Sequence, residues 1–444
     1  MKRYDLYKDS GVEWIGEIPK SWEKVSLGKL GVLYGGLTGK SGDDFRSEDH
    51  PSNKPFIPFT NIFNNTYISK DHFQNVVVGN DENQNKVEKY DLFFLMSSED
   101  YDDLGKSSIL IDNVGEVYLN SFCKGLRVTR GDVYPLFLNY QLLGDTHKKL
   151  ISIEGNGFTR INLRQDRLKE TPVFFPSLYE QQQIVSFLDS KTSQIDELIQ
   201  KKERKIELLK EYRTSLINEV VTKGLNPNVE MKDSGVEWIG EIPSHWKRNK
   251  LIRITDRIGD GLHSTPKYVD SSEYFFINGN NLVNGEIKIF DSTKCVSEEE
   301  FKEHFIQLNS KTLLLSINGT IGNLSFYNGE KVILGKSSCY INLKEHINHH
   351  FVYYFLKSES ISKYFTFELT GTTIFNLSLN SVRNTPIVIP PEIEQQQIVE
   401  YLDDQTSKID NSIQLEEKKI ELLKEYRQSL ISSVVTGKID VRTN

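Results

Sequence analysis

The chain has 444 residues, a formal net charge of −8 and only three cysteines. The length predicts two or three domains, and the scattered cysteines (Cys123, Cys295 and Cys339) exclude a disulfide framework. The sequence has no apolar run of the roughly 18 residues that span a bilayer and no recognisable signal peptide, so a cytoplasmic protein is expected. The negative net charge argues mildly against a free-standing nucleic-acid binder.

The first patterned segment of the chain is repeated further on. Lys8 to Pro19 reads KDSGVEWIGEIP, and the same twelve residues return at Lys232 to Pro243. All four tryptophans lie in or just after these two copies: Trp14, Trp22, Trp238 and Trp246. They could stack on nucleic-acid bases. Because both copies keep them while the intervening sequence differs, a structural role that docks each domain onto a helix is favoured.

The block from Glu23 to Leu136 is predicted to be mixed α/β and mostly strand. Short apolar runs such as PFIPF, LFFLM and SSILI are separated by clusters of Asn, Asp, Gly and Ser. Gly35 to Ser41 resembles a phosphate-binding loop, but Tyr34 stands where the motif needs a glycine, which excludes ATP binding here. A glycine-rich loop with Lys and Ser suits DNA phosphates or base edges instead.

Two long helices are predicted from a second repeat. Glu180 to Thr222 returns at Glu394 to Thr436, with 30 of 43 residues identical on direct comparison. Each copy lacks Gly and Pro inside and is preceded by Pro and followed by Gly, which is typical of a helix. Apolar residues recur at helical spacing, interrupted at Lys202. A helix of roughly 65 Å needs a partner for its apolar stripe, and the other copy is the expected one.

The block from Lys247 to His350 is the counterpart of the first block, with different sequence. Runs such as YFFIN and TLLLSI predict strands, and Asn-Gly pairs mark the turns between them. Gly335-Lys336-Ser337 also fails as a phosphate loop, because Glu330 occupies the place of the first glycine. The chain therefore repeats the segments that flank two divergent blocks. We call these blocks, residues 23–136 and 247–350, the first and second fillings.

The predicted fold class is α/β (α+β), with two mixed α/β domains and two long helices in an internal repeat. The predicted boundaries are a first mixed α/β domain over 1–178, a helix over 179–224, a linker over 225–231, a second mixed α/β domain over 232–392, a helix over 393–437 and a tail over 438–444.

The sequence lacks a recognisable catalytic constellation. It offers no metal-ligand spacing, no convincing pair of nuclease carboxylates and no adenine-methylation motif, and His349-His350 is more often solvated than liganding. Duplicated ends around two divergent blocks indicate a recognition device rather than an enzyme.

Taken together, these residues resemble the specificity subunit of type I restriction–modification systems. The likeness rests on a divergent block, then the pattern P-x-x-x-E-Q-x-x-I-V, then a long Lys/Glu helix ending near Ser-Leu-Ile, all present twice. Gly259 to Pro266 (GDGLHSTP) also resembles a motif of target-recognition domains in that family.

The resemblance implies a DNA-binding subunit that catalyses nothing itself. Each filling would be a target-recognition domain for one half of a bipartite, asymmetric site. The two long helices would pack antiparallel, with a pseudo-twofold axis relating the repeats, and would set the gap between the halves. Two methyltransferase subunits would carry S-adenosylmethionine, and restriction subunits would carry ATP, Mg and the nuclease chemistry. No cofactor or metal is expected on this chain.

Base reading needs side chains with paired donors and acceptors, such as Arg or Lys for guanine and Asn or Gln for adenine. The candidates in the first domain are Lys40, Ser41, Asn61, Lys106, Thr159 and Arg160. Those in the second are His263, Thr265, Lys267, Asn280, Asn281, Lys336 and Thr373. For each of them a plain turn or surface role is at least as common.

An alternative of another class is a non-catalytic coiled-coil scaffold with two protein-binding modules, which the acidic charge mildly favours. Sequence-specific DNA binding and co-purification of a methyltransferase distinguish the two interpretations.

Overall fold

The computed structural model of the chain describes residues 2–45, 50–157, 159–371 and 375–442. It divides into two compact units. Unit 1 is Met1–Lys202 with Lys418–Asn444, and unit 2 is Glu203–Glu417. Within the described ranges, no helix has both the length and the apolar character that crossing a membrane requires.

Unit 1 is built from short strands around an antiparallel sheet. Its strands are β1 (Tyr7–Asp9), β2 (Glu17–Pro19), β3 (Glu23–Ser26), β4 (Gly31–Gly35), β5 (Asn53–Ile57), β6 (Gln74–Val77), β7 (Leu92–Leu95), β8 (Ser97–Ser98), β9 (Ser107–Ile109), β10 (Tyr118–Leu119), β11 (Cys123–Val128), β12 (Gly155–Asn156), β13 (Ile161–Leu163) and β14 (Pro172–Phe175). Its short helices are α1 (Phe59–Asn64), α2 (Pro135–Leu143), α3 (Asp145–Ser152) and α4 (Gln165–Glu170). The largest sheet has the order β4-β11-β7-β9, and smaller sheets have the orders β10-β5-β6 and β12-β13-β8.

The long helix α5 (Leu178–Lys223) contributes to both units, since the division falls after Lys202. The predicted helix bounds differ from α5 by one residue at each end. Gly224 follows α5 with φ +74°, a left-handed conformation that glycine adopts without strain and that commonly ends a helix.

Unit 2 repeats this plan with its own strands. They are β15 (Met231–Asp233), β16 (Glu241–Pro243), β17 (Lys247–Lys250), β18 (Thr255–Asp260), β19 (Tyr268–Val269), β20 (Tyr274–Ile277), β21 (Leu282–Val283), β22 (Glu286–Ile287), β23 (Lys294–Val296), β24 (Thr312–Ser316), β25 (Leu324–Phe326), β26 (Val332–Leu334), β27 (Ser338–Leu343) and β28 (Pro386–Ile389). Its helices are α6 (Glu298–Glu303), α7 (His349–Leu356), α8 (Glu359–Glu368), α9 (Leu379–Asn384) and the first part of α10 (Glu392–Val435). The two four-stranded sheets have the orders β18-β27-β24-β25 and β19-β23-β20-β26.

In each unit a buried tryptophan joins the repeated N-terminal segment to the start of a long helix. Trp22 is fully buried and its indole Nε1 donates to Glu180 Oε1 at 3.2 Å. Trp246 is also fully buried and donates to Glu394 Oε2 at 2.8 Å. The predicted docking role is therefore confirmed for these two tryptophans.

The other two tryptophans pack against short helices instead of the long ones. Trp14 is 41% exposed, with the ammonium of Lys149 in α3 at 5.8 Å from its ring centre. The ring of Trp238 lies 5.5 Å from that of Phe367 in α8. For Trp14 and Trp238 the docking interpretation needs correction, since their contacts are with the side of each domain rather than with α5 or α10.

The predicted antiparallel packing of the helices is seen inside each unit. In unit 2, Lys205 pairs with Glu416 at 2.9 Å and Arg213 with Asp410 at 3.0 Å, so the numbering rises along α5 as it falls along α10. Unit 1 has the equivalent ion pair, Arg427 with Asp196 at 3.0 Å, in which each residue is shifted by 214 positions.

Polar residues that interrupt the apolar stripe have duplicated contacts. In unit 1 the Tyr140 hydroxyl donates to Asp189 at 2.6 Å and lies 3.5 Å from the hydroxyl of Thr192. In unit 2 the Tyr354 hydroxyl donates to Asp403 at 2.7 Å and lies 3.2 Å from that of Thr406. These contacts tie each domain to its own stretch of long helix in one register.

Buried apolar residues along α5 and α10, here called the apolar seam, are expected to stabilise the helix pair. The helical spacing predicts that Leu209, Leu216, Leu423 and Leu430 are buried in this seam. Leu216 and Leu430 are buried, at 8% and 3% exposure, whereas Leu209 and Leu423 are only half-buried. Leu430→Ala is expected to lower the free energy of unfolding by about 2–5 kcal/mol, because it leaves a cavity. The matched control is Leu422→Ala, at a residue 51% exposed on the same helix, which should cost under about 1 kcal/mol. Equal losses of stability in urea unfolding of the two variants would refute this assignment of the seam.

A buried histidine in unit 1 makes its stability depend on pH. The side chain of His147 is fully buried, its Nε2 lies 3.2 Å from the Pro172 carbonyl oxygen, and its Nδ1 has no partner among the described residues. Burial lowers the His147 pKa to about 4, from an ordinary value of 6.5. The neutral ring is therefore the native form, and the unfolded chain binds the proton first as the pH falls.

The stability that depends on a neutral His147 is fully present above pH 6.5 and is lost as the pH falls from 6.5 towards 4. The loss should reach about 2–3 kcal/mol near the lower limit. His147→Gln, which keeps a donor but cannot be protonated, should reduce the pH dependence of urea unfolding by that amount. The same slope in the native chain and the variant would show that His147 is not responsible.

Candidate nucleic-acid interface

Loops from separate parts of the second filling meet at one edge of unit 2. Leu262 N donates to the Leu334 carbonyl at 2.7 Å, and Gly335 N donates to that of Ile277 at 2.8 Å. Ile317 N donates to the Ser337 carbonyl at 2.9 Å. We call this edge the unit 2 tip, and it comprises the loops 261–267, 278–281, 317–322 and 335–337 and residues 375–377.

The same construction occurs in unit 1. Leu37 N donates to the Leu119 carbonyl at 2.8 Å, and Asn120 N to that of Ile57 at 3.1 Å. Met96 N donates to the Phe122 carbonyl at 3.3 Å. The unit 1 tip comprises the loops 36–41 and 120–122, residues 96–98, which include β8, and residues 159–163, which include β13. The two units therefore display different side chains on equivalent loop clusters.

Glycine is required where these loops touch. A Cβ on Gly36 would lie 2.0 Å from the Asn120 carbonyl oxygen, and one on Gly261 would lie 2.1 Å from that of Leu334. Both distances are far inside van der Waals contact, so a side chain at either position would push the loops apart. In the glycine-rich run that starts at Gly35, close backbone packing is thus one reason for the composition.

Most candidates in unit 2 lie exposed on or beside its tip. Thr265, Lys267, Asn280 and Lys336 are all exposed. His263 is exposed too, with its Nε2 at 2.7 Å from Asp260 Oδ2, which restrains the ring. Thr373 lies outside the described residues.

Two of the candidates on the loop after β4 of unit 1 are held by acidic neighbours. The Lys40 ammonium lies 2.6 Å from Glu82 Oε1, and the Lys40 side chain is only 5% exposed. That hydrogen bond, together with those from Gly79 N and the Gln84 amide, lowers the pKa of the Glu82 carboxyl to about 2. Ser41 donates from both its N and its Oγ to Asp44, at 2.7 and 3.1 Å. Both residues therefore shape the loop.

Two asparagines need correction, because they serve the fold rather than an outer surface. Asn61 is 2% exposed, and its Nδ2 donates to the Ser69 carbonyl at 2.9 Å. Asn281 is 4% exposed, and its Nδ2 donates to the Lys288 carbonyl at 2.8 Å. A buried amide that is hydrogen-bonded to the backbone of its own domain cannot reach a base edge, so we withdraw both residues from the candidate set.

The remaining candidates of unit 1 differ in their surroundings. Lys106 is half-buried, 4.3 Å from the ring centre of Phe63 and 3.6 Å from Asp103. Thr159 and Arg160 are exposed on the unit 1 tip. Arg160 lies against Phe122, with its guanidinium carbon 4.7 Å from the ring centre.

Sequence reasoning missed the exposed aromatic residue on each tip. Phe122 is 54% exposed and Phe375 is 51% exposed. Phenylalanines usually belong to the hydrophobic core, and the sequence around these two residues does not distinguish them from buried phenylalanines. Exposed aromatic rings beside polar side chains are typical of surfaces that contact bases.

The described part of the chain has no group of three or more His, Cys, Asp or Glu side chains placed to hold a metal ion. Cys123 and Cys339 are buried free thiols, and Cys295 is a half-buried one. The geometry of the tips therefore consists of exposed donors, acceptors and aromatic rings on loops fixed by backbone hydrogen bonds.

Solved structures share this fold across nearly the whole chain. One of them comes from work on complex assembly and conformational transition of the type I R-M system. It has a TM-score of 0.71 with 15% identity, and the match covers 95% of this chain and 99% of that one. The HsdS subunit from Thermoanaerobacter tengcongensis has a TM-score of 0.56 with 15% identity and covers 95% of this chain and 98% of its own.

Sequence comparisons identify the family. The type I restriction enzyme MjaVIII specificity subunit of Methanocaldococcus jannaschii is 27% identical over 74% of this chain and 77% of its own length. The MjaIX specificity subunit of the same organism is 23% identical over 96% of this chain and 95% of its own length. The model of the type I restriction modification DNA specificity domain matches residues 19–208 and 262–425, one stretch for each repeat and well over half of the chain. The chain therefore belongs to the type I restriction modification DNA specificity family.

Proposed function

We propose that this chain reads both halves of a bipartite, asymmetric DNA site and directs methyltransferase and restriction subunits to it. The observation that carries the proposal is that the family match occurs twice, once on each repeat, while the loops at the two tips differ in sequence. One site read by two different tips is asymmetric. Unit 1 would read one half-site and unit 2 the other.

The long helices supply the gap between the half-sites. Each runs without interruption, over 46 residues in α5 and 44 in α10. Helices held in register by repeated ion pairs and buried apolar residues change length little. The length of the helices would therefore set the number of base pairs between the half-sites, and the chain would not read those base pairs. Other proteins that bind two half-sites also fix their spacing by the distance between two reading elements.

Phosphate contacts require positive charge, and this chain carries a net charge of −8. Partner subunits would supply much of the positive surface. We propose two methyltransferase subunits that carry S-adenosylmethionine, with restriction subunits that carry ATP and Mg. This chain would hold no cofactor and perform no chemistry in the complex, which would act in the cytoplasm.

The test is to co-express the full chain with the methyltransferase subunits of its own organism. Purification through a tag on this chain is expected to retain the methyltransferase, and the complex should protect and methylate DNA at one sequence. A complex that forms without sequence preference would support the alternative, a scaffold with two protein-binding modules. Failure to retain a methyltransferase would contradict the proposed partners.

A further inference from the structure

Arg160 stands apart from the other arginines of the first filling and its flanks. Its Nε donates to Ser97 Oγ at 3.0 Å, and its guanidinium lies on the exposed ring of Phe122. Ser97 itself is buried at 5% exposure. Two contacts therefore fix the plane of the guanidinium, and neither uses its terminal nitrogens.

The other described arginines between residues 23 and 176 are all neutralised by carboxylates. Arg127 pairs with Asp91, Arg130 with Asp132 and Glu23, Arg164 with Asp166, and Arg167 with Glu154 and Glu170. In the described part of the chain Arg160 forms no ion pair. The two terminal nitrogens of Arg160 are thus an unused pair of donors on an exposed loop.

We infer that Arg160 is the specificity-determining residue of unit 1, and that it reads a guanine in the first half-site. A guanidinium held by its Nε presents two parallel N–H donors, which match the O6 and N7 acceptors of guanine in the major groove. The exposed face of Phe122 supports the guanidinium and keeps water from one side of it. This inference rests on the proposed function.

Among its described residues, the unit 2 tip carries no arginine. Its exposed candidates Asn280 and Lys336 offer an amide and an ammonium, and its aromatic residue is Phe375. The arginine contact is therefore expected for one half-site only. Removal of N7 from a guanine should therefore weaken binding through an arginine contact in the first half-site and not in the second.

The experiment begins with the methylation motif of the complex of native chain and methyltransferase, with the first half-site identified by exchange of residues 23–136. Binding is then measured on duplexes in which each guanine of that half-site is replaced in turn by 7-deazaguanine, which lacks N7. The native complex should lose about tenfold in affinity at one position. The Arg160→Ala complex should lose less than about twofold at that position.

Arg164→Ala is the matched control, because Arg164 is exposed close by in sequence and its guanidinium is already paired with Asp166. It should respond to 7-deazaguanine like the native chain. Response to substitutions in the second half-site reports whether each variant complex is intact. A first half-site without guanine, or equal losses in the native and Arg160→Ala complexes, would overturn the inference. Absence of site-specific methylation by the native complex would instead refute the proposed function, and this inference with it.

Discussion

Trp22→Ala is expected to lower the free energy of unfolding of the full chain by about 3–5 kcal/mol. The indole is fully buried, and its Nε1 donates to Glu180, which is itself 6% exposed. Truncation would leave a cavity and also remove a donor from a buried carboxylate, and each effect is destabilising. Trp246→Ala should have a similar cost in unit 2, because it makes the equivalent bond to Glu394.

The control for this prediction is Trp14→Ala. Trp14 belongs to the same repeated segment but is 41% exposed, so its loss should cost about 1 kcal/mol or less. Denaturant unfolding of the three variants measures the difference. If Trp14→Ala were as destabilising as Trp22→Ala, the repeated segment would be held by a different contact from the one described here.

Exchange of residues 247–350 for the corresponding filling of another family member should change one half of the methylation motif and leave the other unchanged. The exchanged block contains most of the unit 2 tip, whereas the segments that bind α5 and α10 remain. A new filling should therefore present new donors and acceptors on an unchanged frame.

The reciprocal exchange, of residues 23–136, is the control and should change the opposite half, apart from the guanine assigned to Arg160, which lies outside the exchanged block. A change in the gap between the halves would be unexpected in either chimera, because the long helices are untouched. If either exchange altered both half-sites, the assignment of one unit to each half-site would be wrong.

The repeated frame could be predicted from sequence because its signals are local and redundant. Freedom from Gly and Pro over more than 40 residues leaves helix as the only regular structure of that length, and the bounds of α5 and α10 fall within two residues of the prediction. Polar residues on the long helices were harder to interpret: Thr192 contacts the Tyr140 hydroxyl and Arg213 pairs with Asp410. These partners lie elsewhere in the chain and could not be deduced from spacing.

The tips were harder to predict, because exposure depends on tertiary contacts. Asn61 and Asn281 have the residue type that reads adenine, yet the fold uses their amides to bind its own backbone. Lys40 has a residue type that reads guanine, but its ammonium is hydrogen-bonded to Glu82, 42 residues away in the sequence. Arg160 was one of many equal candidates, and only the position of Ser97 and Phe122 separates it from the paired arginines.

The most direct test of the account is a genome-wide map of methylated adenines in cells that express this chain with its methyltransferase subunits. The account predicts one motif of two different short specific sequences separated by a fixed number of unspecified base pairs. An uninterrupted motif, a palindrome or a methylation pattern unchanged by deletion of this chain would contradict the claim that its two units read the two halves of one asymmetric site.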